Sequence, residues 1–157
     1  MSIDEKYMRL ALNQAKKAYD AGEVPIGAVI VKDGKVIARA RNGRNGKRLA
    51  TAHAEITAIN SACRKLKDWR LTDAEIYVTL EPCPMCAGAI ANARIKRIIF
   101  GAYEKKSGAV LSNFHIPFFS GLNHESEVTG GVLESECSGI LKKFFFTKRD
   151  MTAKSVD

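Results

Sequence analysis

Apolar positions recur at helical spacing near the start of the chain, where Tyr7, Ala11, Ala15 and Ala18 share a face with Met8 and Leu12 beside them. This predicts a first helix, capped by Asp4 and stopped at Gly22. The period then changes. Val24-Pro25-Ile26-Gly27-Ala28-Val29-Ile30-Val31 is too short and too rich in β-branched residues for a helix, and Asp33-Gly34 turns the chain into Val36-Ile37-Ala38-Arg39-Ala40. The two runs predict a hairpin, with Pro25 at the strand's beginning or at an edge because it has no ladder donor.

Arg41 to Arg48 is polar and glycine-rich, carries four cations, and reads as a loop. Thr51 is expected to cap a helix that opens with Ala52 and His53 and continues through Ile56, Ile59 and Cys63 to about Leu66. Ile76 to Leu80 predicts a buried strand that runs directly into Pro82-Cys83. A small-faced helix follows through Ile90, then a strand over Arg97 to Gly101. Strand, helix, strand at this spacing makes a right-handed crossover and a parallel pair, so with the hairpin the sheet is mixed.

From Tyr103 to about Gly121 the pattern weakens, and Phe114-His115-Ile116-Pro117-Phe118-Phe119 is aromatic with little period. This predicts a lid or interface loop. Val128 to Leu133 is expected to form a short strand or turn. Glu134 to about Arg149 returns to helix, with Ile140, Leu141, Phe144 and Phe145 inward. The expected organisation is one domain over residues 1–150 and a short polar tail over 151–157.

Length and composition agree with that organisation. A chain of 157 residues with 46% hydrophobic and 27% charged positions has the composition of a soluble globular domain with a full core. No apolar run approaches the roughly 20 residues of a membrane span, and Met1-Ser2-Ile3-Asp4-Glu5 lacks the basic-then-apolar pattern of a secretory signal. Four cysteines in this setting suit a reducing cytoplasm better than a disulfide framework. The net charge of +8 favours a polyanionic partner such as nucleic acid, whereas a free nucleoside has no charge to steer.

The candidate chemistry is concentrated in His53-Ala54-Glu55 and Pro82-Cys83-Pro84-Met85-Cys86. Histidine and cysteine are preferred ligands of Zn²⁺, and three protein ligands leave a fourth tetrahedral corner open for water. Cys83 and Cys86 fall on one helical face, and if Pro82 and Pro84 mark the helix start both sit in its first turn, where the helix dipole favours a thiolate. His53 and Glu55 point about 200° apart in mid-helix, at ~100° per residue, so both can reach one centre only from a helix start. Two helix N-termini are therefore expected to converge on one metal. Glu55 beside a metal-activated water can take a proton and pass it to a substrate nitrogen.

Other readings of these residues explain less. A redox Cys-x-x-Cys leaves His53 and Glu55 without a role. A structural zinc site needs a fourth ligand, and Cys63 is about 15 Å from His53 along a helix. Cys137 reads as a small buried hydrophobe, and His115 and His124 as surface or hydrogen-bonded histidines. Asn42 lies in the basic loop and carries an amide that can donate and accept toward a base edge, or else serves as an Asn-Gly turn residue.

The combination of His-x-Glu with Pro-Cys-x-x-Cys is the established signature of zinc nucleobase deaminases, tRNA adenosine deaminases among them, and is not itself a deduction from spacing. Over nearly its whole length the sequence resembles the bacterial tRNA-specific adenosine deaminase family of the cytidine-deaminase-like superfamily. The resemblance is carried by Glu23 to Val29, Thr51 to Glu55, Thr79 to Gly88, and Leu122-Asn123-His124 with Glu136-Cys137 and Phe144-Phe145. It implies an α/β protein with a three-layer α/β/α fold around a mixed five-stranded sheet, and a homodimer. The implied activity is hydrolytic conversion of the wobble adenosine of a tRNA anticodon arm to inosine. By position, His53, Cys83 and Cys86 would hold zinc, Glu55 would shuttle protons and Asn42 would contact the nucleoside. Leu49-Ala50 and Glu104 stand where the family commonly has Asp-Pro and Asp, in loops expected to touch substrate. Deamination of a free base or nucleoside, and a zinc-stabilised nucleic-acid-binding module without catalysis, are the alternative functions.

Overall fold

The computed structural model describes residues 1–156. Helix α1, Ile3–Asp20, buries Tyr7, Met8, Ala11, Leu12, Ala15 and Ala18, which is the expected face. Its N-cap is Ser2 rather than Asp4, with the Ser2 hydroxyl accepting from the Glu5 amide. Asp4 lies in the first turn and is turned toward the sheet, where it accepts from Arg97 and from the Tyr77 hydroxyl.

Strands β1, Gly27–Lys32, and β2, Lys35–Arg41, form the predicted hairpin around Asp33-Gly34, both at positive φ. The basic segment is not a plain loop. Arg44–Lys47 forms a helical turn, α2, because the Glu23 carboxylate accepts from the amides of Asn45 and Gly46. Helix α3, Ala54–Leu66, begins after His53, two residues beyond the expected cap. Strand β3, Glu75–Leu80, leads to α4, Pro84–Asn92, and then to β4, Arg97–Ala102. A short 3₁₀ turn, Ile116–Phe118, lies in the aromatic segment, and β5 is Glu127–Thr129. Helix α5, Glu134–Val156, continues past its expected end at Arg149 through most of the segment read as a tail; Asp157 lies outside the described residues.

The sheet order is β2-β1-β3-β4-β5, with β1 antiparallel to β2 and β3, and with β3-β4 and β4-β5 parallel. Alternate strand residues enter separate cores. Ala28, Ile30, Ile76, Val78, Ile98 and Phe100 face Ala54, Ala58, Ala62 and Ile90 from α3 and α4. Val29, Val31, Tyr77 and Ile99 face Tyr7, Met8, Ala11 and Cys137 from α1 and α5. This two-sided burial makes the three layers, because a strand's side chains alternate between faces. Gly27 lets α1 approach β1 closely, since a Cβ there would fall on the Ala11 carbonyl and the Ala15 amide.

On α5, Phe144 is buried as expected, but Phe145 is 44% exposed and points away from the core. The four-residue apolar pattern is wider than the strip that α5 presents to the sheet. Among the described residues, no helix is long and apolar enough to cross a membrane.

Candidate active site

Two helix starts bring the chemistry together. His53 and Cys83 have extended backbone at the N-cap positions of α3 and α4, and neither side chain bonds its own helix amides. An N-cap side chain usually turns inward to satisfy those amides. Here the imidazole and the thiol are free to face each other. Pro84 occupies the first turn, where its missing amide hydrogen is not needed, and Cys86 follows on the same helix end.

The donor atoms of His53, Cys83 and Cys86 all lie within 4.8 Å of one another. His53 Nδ1 is 3.7 Å from Cys83 Sγ and 3.5 Å from Cys86 Sγ. Cys86 is buried, whereas Cys83 and His53 are partly exposed, so the cluster has a sealed side and an open side. Two sulfurs and one nitrogen, with no oxygen donor, fit a borderline-soft dication, and the open side fits a site that keeps one position for a reactant. The two thiols lie close enough to perturb each other's ionisation. The neighbouring thiol is the main cause that lowers Cys83 to about 5 and raises Cys86.

Glu55 sits in the first turn of α3, is 4% exposed, and has the Cys83 and Cys86 sulfurs among its near electrostatic partners. Burial is the dominant cause that pushes its carboxyl up to about 7. A carboxyl poised between protonated and ionised forms can both accept and return a proton near neutrality.

Asn42 is 4% exposed. Its Nδ2 donates to the Val24 carbonyl at 3.3 Å, while its buried Oδ1 has no hydrogen-bond partner. The next residue, Gly43, donates its amide to the carbonyl of Ala52, which precedes His53. The segment carrying Asn42 is thereby fastened beside the segment carrying the imidazole. An orphaned buried acceptor is costly, so its presence here points to a donor supplied by a ligand.

The other cysteines and histidines stay outside the cluster. The Cys63 thiol donates to the Trp69 carbonyl, and Cys137 packs against Gly101, where it behaves as a small hydrophobe. His124 pairs with the Ile95 carbonyl, and His115 is exposed at the entry to the 3₁₀ turn. Sequence reasoning missed two buried carboxylates beside the site, Glu23 and Glu81, which are 4% and 2% exposed. Each is an acid flanked by apolar residues with no cation at helical spacing, Glu23 before Val24-Pro25 and Glu81 between Leu80 and Pro82. That isolation is the signal that could have marked them as holding backbone amides.

This fold and this donor set define a deaminase domain, and a family model of MafB19-like deaminases matches residues 2–149. The chain is 49% identical over 145 residues to a tRNA-specific adenosine deaminase of Bacillus subtilis, covering 92% of this chain and 90% of that one. A solved structure from a study of A-to-I editing by tRNA:A34 deaminases at the wobble position superposes with a TM-score of 0.84. It is 48% identical, and the match covers 87% of this chain and 99% of that one. A guanine deaminase from Bacillus subtilis is 43% identical over 66% of each chain, with a TM-score of 0.62. The chain belongs to the family of tRNA-specific adenosine deaminases.

Proposed function

We propose that this protein is a zinc-dependent hydrolase that converts adenosine to inosine at the wobble position of a tRNA anticodon. The observation that carries this reading is the buried Glu55 carboxyl set beside the His53, Cys83 and Cys86 donors at two converging helix starts. His53, Cys83 and Cys86 would hold Zn²⁺, which when bound acts as a Lewis acid and lowers the pKa of water.

The chain's own groups do the rest. Glu55 takes a proton from the attacking water and delivers it to the purine ring nitrogen, which prepares C6 for loss of its amino group as ammonia. Water is consumed and inosine and ammonia are formed, so no oxidant or reductant is needed. Asn42 Oδ1 accepts a hydrogen bond from the target nucleoside and fixes its orientation. The exposed Arg44, Lys47 and Arg48 meet phosphates of the anticodon arm. The homodimer implied by the family resemblance, and the reducing cytoplasm suggested by the cysteine usage, belong to the same reading.

The test is ammonia release by the zinc-loaded protein from an adenosine-wobble anticodon stem-loop beside free adenosine, guanine and cytidine. Release from the RNA alone supports the reading. Release from a free base or nucleoside alone would replace it with the chemistry of the guanine deaminase relative and leave the basic turn without a role.

A further inference from the structure

Glu81 occupies the last position before Pro82-Cys83 and reaches forward to a loop far along the chain. Its Oε1 accepts from the Glu104 amide at 3.1 Å. Its Oε2 accepts from the amides of Val110, Leu111 and Ser112 at 3.2, 2.8 and 2.9 Å, and Oε1 also accepts from the Ser112 hydroxyl. The backbone adds two further ties, from the Glu81 amide to the Ala102 carbonyl and from the Ala109 amide to the Pro82 carbonyl, both 2.8 Å. Gly108 is required by the same contact, because a Cβ there would strike the Glu81 carboxylate and the Glu104 carbonyl.

We infer that Glu81 is a positioning residue that registers the loop from Glu104 to Ser112 against the metal-ligand segment, so that this loop forms a fixed wall of the RNA site. The inference rests on the proposed activity toward RNA. Four amides and a hydroxyl on one carboxylate are more than structural closure of a surface loop requires, and no cation pairs with Glu81 among its hydrogen-bonded partners. Charge-assisted bonds of this kind are about twice as strong as neutral ones. Their convergence one residue from Pro82 couples the loop to Cys83 rather than to the sheet alone. The loop also presents Glu104, Lys105 and Lys106, and the Lys106 amide returns to the Glu104 carboxylate at 3.0 Å. A loop set in advance spares RNA the ordering cost on binding.

The experiment compares wild type, Glu81→Gln and Ser112→Ala, all zinc-loaded, by metal content, amide hydrogen exchange and steady-state kinetics on an anticodon stem-loop. Glu81→Gln puts an amide group where donors already converge. The expected result is unchanged metal content, at least ten-fold faster exchange at Val110, Leu111 and Ser112, and a KM raised at least ten-fold with kcat within about three-fold. Ser112→Ala, which removes only one donor from the edge of the network, is expected to raise KM by a few-fold and to cover the case in which Glu81→Gln does not fold. Unchanged exchange or unchanged KM in these variants would overturn the inference, as would loss of metal with normal KM. A wild type that releases no ammonia from RNA would instead overturn the functional reading, while the exchange data would still report Glu81's hold on the loop.

Discussion

His53 Nδ1 lies 3.5 Å from Cys86 Sγ although the two residues are 33 positions apart in the chain. Their meeting depends on α3 and α4 starting at the same end of the sheet, beyond the C-terminal ends of β2 and β3, each with a donor at or near its first turn. X-ray absorption on the zinc-loaded protein is therefore expected to show two sulfurs at about 2.3 Å and one imidazole nitrogen at about 2.0–2.1 Å. Four sulfurs, or none, would remove this assignment. Chelation should abolish turnover and lower Tm, and added zinc should restore both.

Replacing Glu55 with Gln keeps the shape of the side chain and removes the proton carrier. The expected loss in kcat is about 10²–10⁴-fold with metal content unchanged. Equal turnover in this variant would remove Glu55 from proton transfer, and no turnover in either protein would favour a non-catalytic zinc module that binds nucleic acid.

Asn42 carries a buried acceptor with no hydrogen-bond partner in the protein. Asn42→Leu removes the acceptor at similar volume and is expected to cost about 1–3 kcal/mol in transition-state or ground-state binding, or roughly 5- to 150-fold in kcat/KM. Thermal stability should change little or rise, since an unsatisfied buried group is removed. A large fall in Tm with unaltered kcat/KM would assign Asn42 to the fold instead of the substrate.

The Asp4 carboxylate, 23% exposed, binds Arg97, which also bonds Glu75 and Thr129. The Arg97 hydrogen bond holds Asp4 below its ordinary value near 3.8. Because the folded value is depressed, the pair's contribution is present above that ordinary value and is lost as pH falls through the folded one. Asp4→Asn is expected to lower stability by about 1–2 kcal/mol at pH 7, or roughly 3–6 °C in Tm, with a smaller deficit below pH 3. Thermal melts of both proteins at pH 7 and at about pH 2 check this. An equal deficit at both would show that the carboxylate's charge is not the cause.

How much of this was legible before the fold was known differs by element. The α1 face, the β1-β2 hairpin and the β3-α4-β4 crossover follow from local period and turn residues, and each lies where the pattern put it. The donor cluster was equally readable, because extended backbone at His53 and Cys83 is what a helix start imposes. Caps were less so. Asp4 and Thr51 are good N-caps by type, yet Asp4 is drawn to Arg97, 93 residues away, and α3 opens at His53, which leaves the imidazole free for the cluster. The roles of Glu23 and Glu81 depend on amides brought in by tertiary folding, 22 to 31 residues downstream, and no local period encodes them. The same holds for α2, which exists because Glu23 holds its first amides.

The central claim is tested most directly by incubating an adenosine-wobble tRNA with the zinc-loaded protein and sequencing the product by reverse transcription. The account predicts an adenosine-to-guanosine change at the wobble position alone, absent with Glu55→Gln. An unchanged wobble adenosine, or equal change at adenosines throughout the tRNA, would contradict it.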